Sequence, residues 1–127
     1  ILDFVNFLFH DEFPQYEPRE PFRAEQLSPV PAIEFLWADS PAEGPPPEGK
    51  PSVQDLRTWE AEWLARRIAE LLADETPRVR SRDRATGQIT LRRVRPGDIT
   101  ILFRALSDVQ TYESALRRQG LDYYLVG

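Results

Sequence analysis

Arg104 closes the run Ile99-Thr100-Ile101-Leu102-Phe103 and stands three residues before Ser107. A guanidinium presents a planar fork of N–H donors that matches a phosphate or a carboxylate with two bonds at once. An arginine where a strand gives out, beside a hydroxyl and the start of a helix, is an arrangement suited to binding an anion. A second set of arginines follows a different rule. Arg78, Arg80, Arg82 and Arg84 recur with period two, so on a strand they share one face. Such a row suits a solvated ribbon at a sheet edge, where charge discourages aggregation. It equally permits a basic arm laid against a nucleic-acid backbone. Both readings stay open on sequence, as they do for Arg104, which an acid of its own domain could also hold.

Other chemistry finds little support. The single histidine, His10, is followed by Asp11 and Glu12, but adjacent residues at a helix end point in different directions, so His10 reads as a surface residue rather than a metal ligand. There is no cysteine, hence no thiol nucleophile, no thiolate zinc site and no disulfide framework. Neither a GxxxxGK[ST] phosphate loop nor a GxGxxG fingerprint occurs, and no serine sits in a GxSxG context. Asp98, following Pro96-Gly97, reads as a turn residue bonding local backbone. Trp59 and Trp63, four apart beside an apolar stripe, read as the edge of a core rather than as stacking platforms. No catalytic residue, metal ligand or cofactor is therefore assigned to the chain itself.

The elements that must position these arginines are legible from periodicity. Ile1, Val5, Leu8 and Phe9 have helical spacing, with neither a capping residue nor a basic leader before them, and the chain reads as a piece of something longer. Residues 11–31 hold five prolines and no sustained period, which predicts an extended connection. Ala32 to Trp37 alternates as a short strand with Ile33, Phe35 and Trp37 on one face. Residues 40–51 (SPAEGPPPEGKP) predict a mobile loop too polar to pack.

From Val53 to Ala73 the pattern is helical, opened by a Ser52/Asp55 capping box. Its apolar stripe comprises Ala61, Leu64, Ala65, Ile68, Leu71 and Leu72, and Glu62 with Arg66 makes an i,i+4 pair. Residues 78–95 predict a β-hairpin turning at Asp83–Gly87. Ile99–Phe103 then reads as a parallel strand covered on both faces. Ser107 and Gln110 form a capping box for a helix that buries Val109, Tyr112, Ala115 and Leu116 and stops at Gly120. Tyr123–Val126 returns as a second strand, so 96–126 is one right-handed βαβ unit.

At 127 residues, 41% apolar and 29% charged, the chain is at most one ordinary α/β domain without a transmembrane stretch. Net charge is −5, unevenly placed. Residues 1–76 carry 16 acids against 6 bases, and residues 77–127 carry 5 against 10, every one an arginine. That asymmetry suits a second half facing a polyanion.

Three segments resemble one family in order. PGDITILFRALSDVQTYESALRRQGLDYYLVG resembles the "PGDIAILFRS…YEEALR…GIPYYVVGG" block of UvrD/Rep-like superfamily 1 helicases, closest to the AddA/RecB helicase–nuclease branch. EAEWLARRIAELL is similar to the "EAEWVARRI" helix before it, and ILDFVNFLF to the helix after the family's "NYRS" motif. The resemblance implies that residues 1–127 are a fragment of the second RecA-like motor domain: α/β, with part of a parallel sheet, flanking helices and an inserted hairpin. It further implies a cytoplasmic, ATP- and Mg²⁺-dependent DNA motor that moves on single-stranded DNA in repair or recombination, whose remaining chain is this piece's partner. The phosphate loop, Walker B acids and arginine finger are not in this sequence, so hydrolysis is not expected of it alone.

Within the resemblance, Arg104 and Ser107 match the "FR…S" loop near the DNA path and carry a phosphate-contact role. Arg80 and Arg82 join them as nucleic-acid candidates on the hairpin's charge alone. The rival reading is a non-enzymatic interaction module, or a degenerate motor domain kept as scaffold. A parallel sheet missing its later strands would also leave an open edge and a bare apolar face, which predicts self-association through an exchanged terminal element.

Overall fold

The computed structural model describes residues 2–18 and 33–126. The chain divides into two compact units, Ile1–Glu34 and Phe35–Gly127. The first contains helix α1 (Leu2–His10). After it the backbone turns so that Phe13 and Tyr16 come back against Phe9, with ring centroids 5.4 and 6.1 Å away. The Tyr16 hydroxyl donates to Asn6 Oδ1 at 2.7 Å, closing the turn.

The second unit is built on two helices, α2 (Val53–Ala73) and α3 (Val109–Arg118). Ser52 and Asp55 form the expected capping box: the Asp55 amide donates to Ser52 Oγ at 3.1 Å, and the Ser52 amide to the Asp55 carboxylate at 2.8 Å. These bonds satisfy two groups that a helix start leaves open, and they hold the Asp55 carboxyl below its ordinary value. α3 ends at Gly120, whose φ of +66° is a left-handed conformation. The Gly120 amide bonds the Arg117 carbonyl and the Leu121 amide the Leu116 carbonyl, both at 3.0 Å. This is the six-to-one and five-to-two pairing of a Schellman stop.

The core lies between the helices. Ala61, Ala65 and Ile68 of α2 meet Tyr112, Ala115 and Leu116 of α3, all at most 8% exposed. Alanine on both faces lets the helix axes approach closely. Leu64, Leu72, Ile99, Ile101, Phe103, Leu121 and Tyr123 pack round this cluster, and Phe103 meets Tyr112 edge-on with centroids 4.8 Å apart. Burial, with Glu60 adding to it, pushes the Tyr112 phenol up to about 12. Trp59 is buried, as expected of a core-edge residue. Trp63 Nε1 donates to the Ser40 carbonyl at 2.9 Å.

Strands β1 (Val79–Arg82) and β2 (Ile89–Arg92) pair antiparallel, Val79 opposite Arg92 and Arg82 opposite Ile89. They form the hairpin read from sequence. Asp83 makes the turn: its Oδ1 accepts from the Ala85 amide (2.8 Å), the Thr86 amide (2.7 Å) and the Thr86 hydroxyl (3.0 Å). Gly87 completes the turn at φ +72°.

The parallel RecA-like sheet is not formed. Among the described residues the sheet is two-stranded and antiparallel, so the architecture is two packed helices with a hairpin, plus α1 in its own unit. Ile99–Phe103 and Leu121–Val126 are extended but make no ladder bonds to each other. Ile99, Ile101 and Phe103 face the helices, while Leu102 is 88% exposed. Coverage of both faces, the condition for a parallel strand, is therefore not met. Residues 33–37 are not a strand either, and Phe35 and Trp37 stand exposed.

Three local expectations also change. Ser107 and Gln110 form no capping box, because α3 begins at Val109 with Asp108 in the cap position. Glu62 pairs with Arg118 at 2.9 Å rather than with Arg66, and Arg66 reaches Glu43 at 3.3 Å. The loop 40–51 is anchored at its start by that pair and by Trp63, so part of it packs on α2. The proline-rich connection at 11–31 falls largely on residues 19–32, outside the described residues.

Candidate nucleic-acid interface

Most arginines of the chain are already engaged. Arg57 pairs with Asp108 and Arg78 with Asp74. Arg67 reaches Glu70 at 3.1 Å, and Arg117 donates to the Tyr123 hydroxyl at 2.5 Å while lying over its ring. Arg92 grips Asp98 with both terminal nitrogens, at 2.5 and 2.7 Å. The Arg95 amide adds a bond of 2.8 Å to the same carboxylate. Together these bonds, the Arg92 guanidinium first, hold the Asp98 carboxyl at about 2. Asp98 is thus the local turn residue that its Pro-Gly context indicated.

Four arginines differ. Arg82, Arg84, Arg93 and Arg104 are exposed and have no carboxylate partner among the described residues. Three of them belong to the hairpin or its flank. The register places Arg80 opposite Leu91 and Arg82 opposite Ile89, so these four share one face of the ribbon. Arg80 is half-buried and engaged; Arg82 is exposed. Arg84 is in the turn rather than on the strand, so the period-two row is a strand row at Arg80 and Arg82 only.

Arg104 and Ser107 lie on the exposed loop before α3. Ser107 Oγ donates to Asp108 Oδ2 at 3.1 Å. Asp108 itself stands at the helix start, where the macrodipole favours an anion. That end already holds its own carboxylate, bridged to Arg57 on α2. An incoming phosphate would meet this carboxylate, so the helix-start anion site expected at Ser107 is filled from within the chain. Arg104 keeps its exposure; Ser107 loses its part in a capped helix end. Among the described residues no group of three or more His, Cys, Asp or Glu side chains is arranged to hold a metal. His10 is exposed, its Nδ1 2.8 Å from Asp11 Oδ1.

Comparison with family models, with curated proteins and with solved structures gives no match.

The hairpin and the Arg104 loop offer exposed donors on different segments. The site residues that sequence reasoning passed over are Arg84 and Arg93. Arg84 belonged to the period-two row, and Arg93 to the Arg92-Arg93-Val94-Arg95 run. Their signal was charge density, which does not distinguish Arg93 from its neighbour Arg92. Only Asp98 makes that distinction, by taking one and leaving the other.

Proposed function

We propose that this chain contacts a nucleic-acid backbone through the exposed arginines of its hairpin, as part of an ATP-driven DNA helicase or helicase–nuclease. The observation that carries the reading is the division of the arginines. Acids of the chain neutralise most of them, while Arg82, Arg84 and Arg93 at the hairpin stay exposed and unpaired among the described residues. Exposed, unneutralised guanidinium groups are the chemistry that phosphate oxygens recognise. The helicase part rests on the sequence resemblance, and with it come single-stranded DNA as partner, a cytoplasmic location, and ATP with Mg²⁺ held elsewhere in the protein. Arg104 serves the same backbone from its own loop. Among the described residues no helix is long and apolar enough to cross a membrane.

Fluorescence polarisation of a labelled single-stranded oligonucleotide over a salt series tests this. Binding weakens with salt, and Arg82→Ala with Arg84→Ala makes the logarithmic salt slope shallower by about 0.7 per arginine removed. Unchanged affinity and slope in the double variant would overturn the assignment.

A further inference from the structure

The two extended segments that fail to pair with each other flank a cleft of about 660 Å³. Its floor is Leu116 of α3 with Ile68 and Leu72 of α2, and its sides are the backbones of 99–103 and 121–126. Toward solvent the segments present Leu102, Tyr124 and Val126, 79–89% exposed. Their peptide groups make no ladder bonds to each other or to another segment. Extended backbone with open donors and acceptors beside an apolar floor accepts an added strand.

The same chain offers one. Residues 35–37 are extended, and Phe35 and Trp37 stand 79% and 86% exposed on alternate positions. They cannot reach the cleft of their own copy. Ser40, three residues after Trp37, is held to Trp63 of α2. Ile68 and Leu72 lie five and nine positions beyond Trp63, about 140° and 180° round the helix from it. Three residues of extended chain span about 10–11 Å, no more than the 10–12 Å width of the helix they would have to pass round.

We infer that the cleft between 99–103 and 121–126 receives the Phe35–Trp37 segment of a second copy of this chain, reciprocally, in a two-fold dimer. Each inserted aromatic buries about 150–250 Å². Four of them, with the cleft surface they cover, give on the order of 1,200–2,000 Å², the size of a specific interface. The exchange pairs the open backbone of both segments and covers the bare apolar side chains in one step.

Sedimentation velocity over a wide concentration range reads the assembly, and hydrogen exchange of the amides at 100–103 and 122–126 reads the strand addition. A dimer is expected, with these amides exchanging at least about tenfold slower in concentrated than in dilute protein, since opening then requires dissociation. Trp37→Ser removes an exposed side chain that the fold does not use; it should give a monomer with unchanged helical circular dichroism and fast exchange at both segments. Leu102→Asp on the cleft rim should do the same. A monomer at every concentration overturns the inference, and so does a dimer that both variants leave intact or whose cleft amides exchange freely.

Discussion

Asp98 shows how much one carboxylate does at the foot of the hairpin. It fixes Arg92, takes the Arg95 amide, and so sets the exit of β2 into the 3₁₀ turn at Pro96–Asp98. Its folded value of about 2 lies below the ordinary carboxylate value of about 3.9. A depressed value means the folded state binds the proton less tightly than the unfolded chain. The stabilisation is therefore fully present above about 3.9 and is lost as pH falls through about 2. Carboxyl carbon titration by NMR should find the Asp98 midpoint near 2, and Arg92→Ala should move it up toward the ordinary value. A midpoint that Arg92→Ala leaves unmoved would show that the ion pair is not its cause. Sequence identified Asp98 as a turn residue from Pro-Gly-Asp; its partner, six residues upstream, depended on where the hairpin strand ended.

The helices are the elements that sequence specified most fully, because their signals are local. Ser52-Val53-Gln54-Asp55 contains both halves of a capping box within one turn, and both bonds form. Ser52→Ala removes the acceptor for the Asp55 amide and should cost about 1 kcal/mol, read as a shift of the denaturant midpoint. Asp55→Asn keeps a short polar side chain at the third position and should cost less. The hairpin was legible for a similar reason: Asp83 and Gly87 supply the turn within five residues. The cap at Ser107 failed although its residue types are right. Asp108 one residue later takes the position and is held there by Arg57, 51 residues away in the chain. Local pattern cannot register a competitor whose partner is that remote.

At the scale of the whole molecule, one cluster between α2 and α3 holds the second unit together, and small residues dominate it. Leu116 is its largest aliphatic contribution from α3 and also ends that helix by taking the Leu121 amide. Leu116→Ala should destabilise by about 2–5 kcal/mol, since the deleted side chain leaves a cavity that two helices cannot close. That is a large part of the stability of a typical domain. Chemical denaturation should show a lower midpoint with an unchanged slope. Exposed Tyr124→Ala, in contrast, should leave the unit's own midpoint within about 0.5 kcal/mol when measured on dilute protein. The self-association predicted from an uncovered sheet now has a definite location, the cleft that replaces the expected strand pair.

The sequence by itself determined the helices, their caps and stops, the hairpin and its turn, and which arginines were available. Each of these depends on residues within a few positions of one another. Whether Ile99–Phe103 and Leu121–Val126 become strands depends on a neighbour to bond and a second face to bury. Apolar runs announce the need for such neighbours without supplying them, and the resemblance to a motor domain carried the same expectation of a sheet. Only the tertiary structure decided that the two segments lie on α2 and α3 as separate extended edges. It alone decided, too, that acids spend most of the arginines and leave the hairpin's outer ones exposed, because an ion pair is a fact of folded distance.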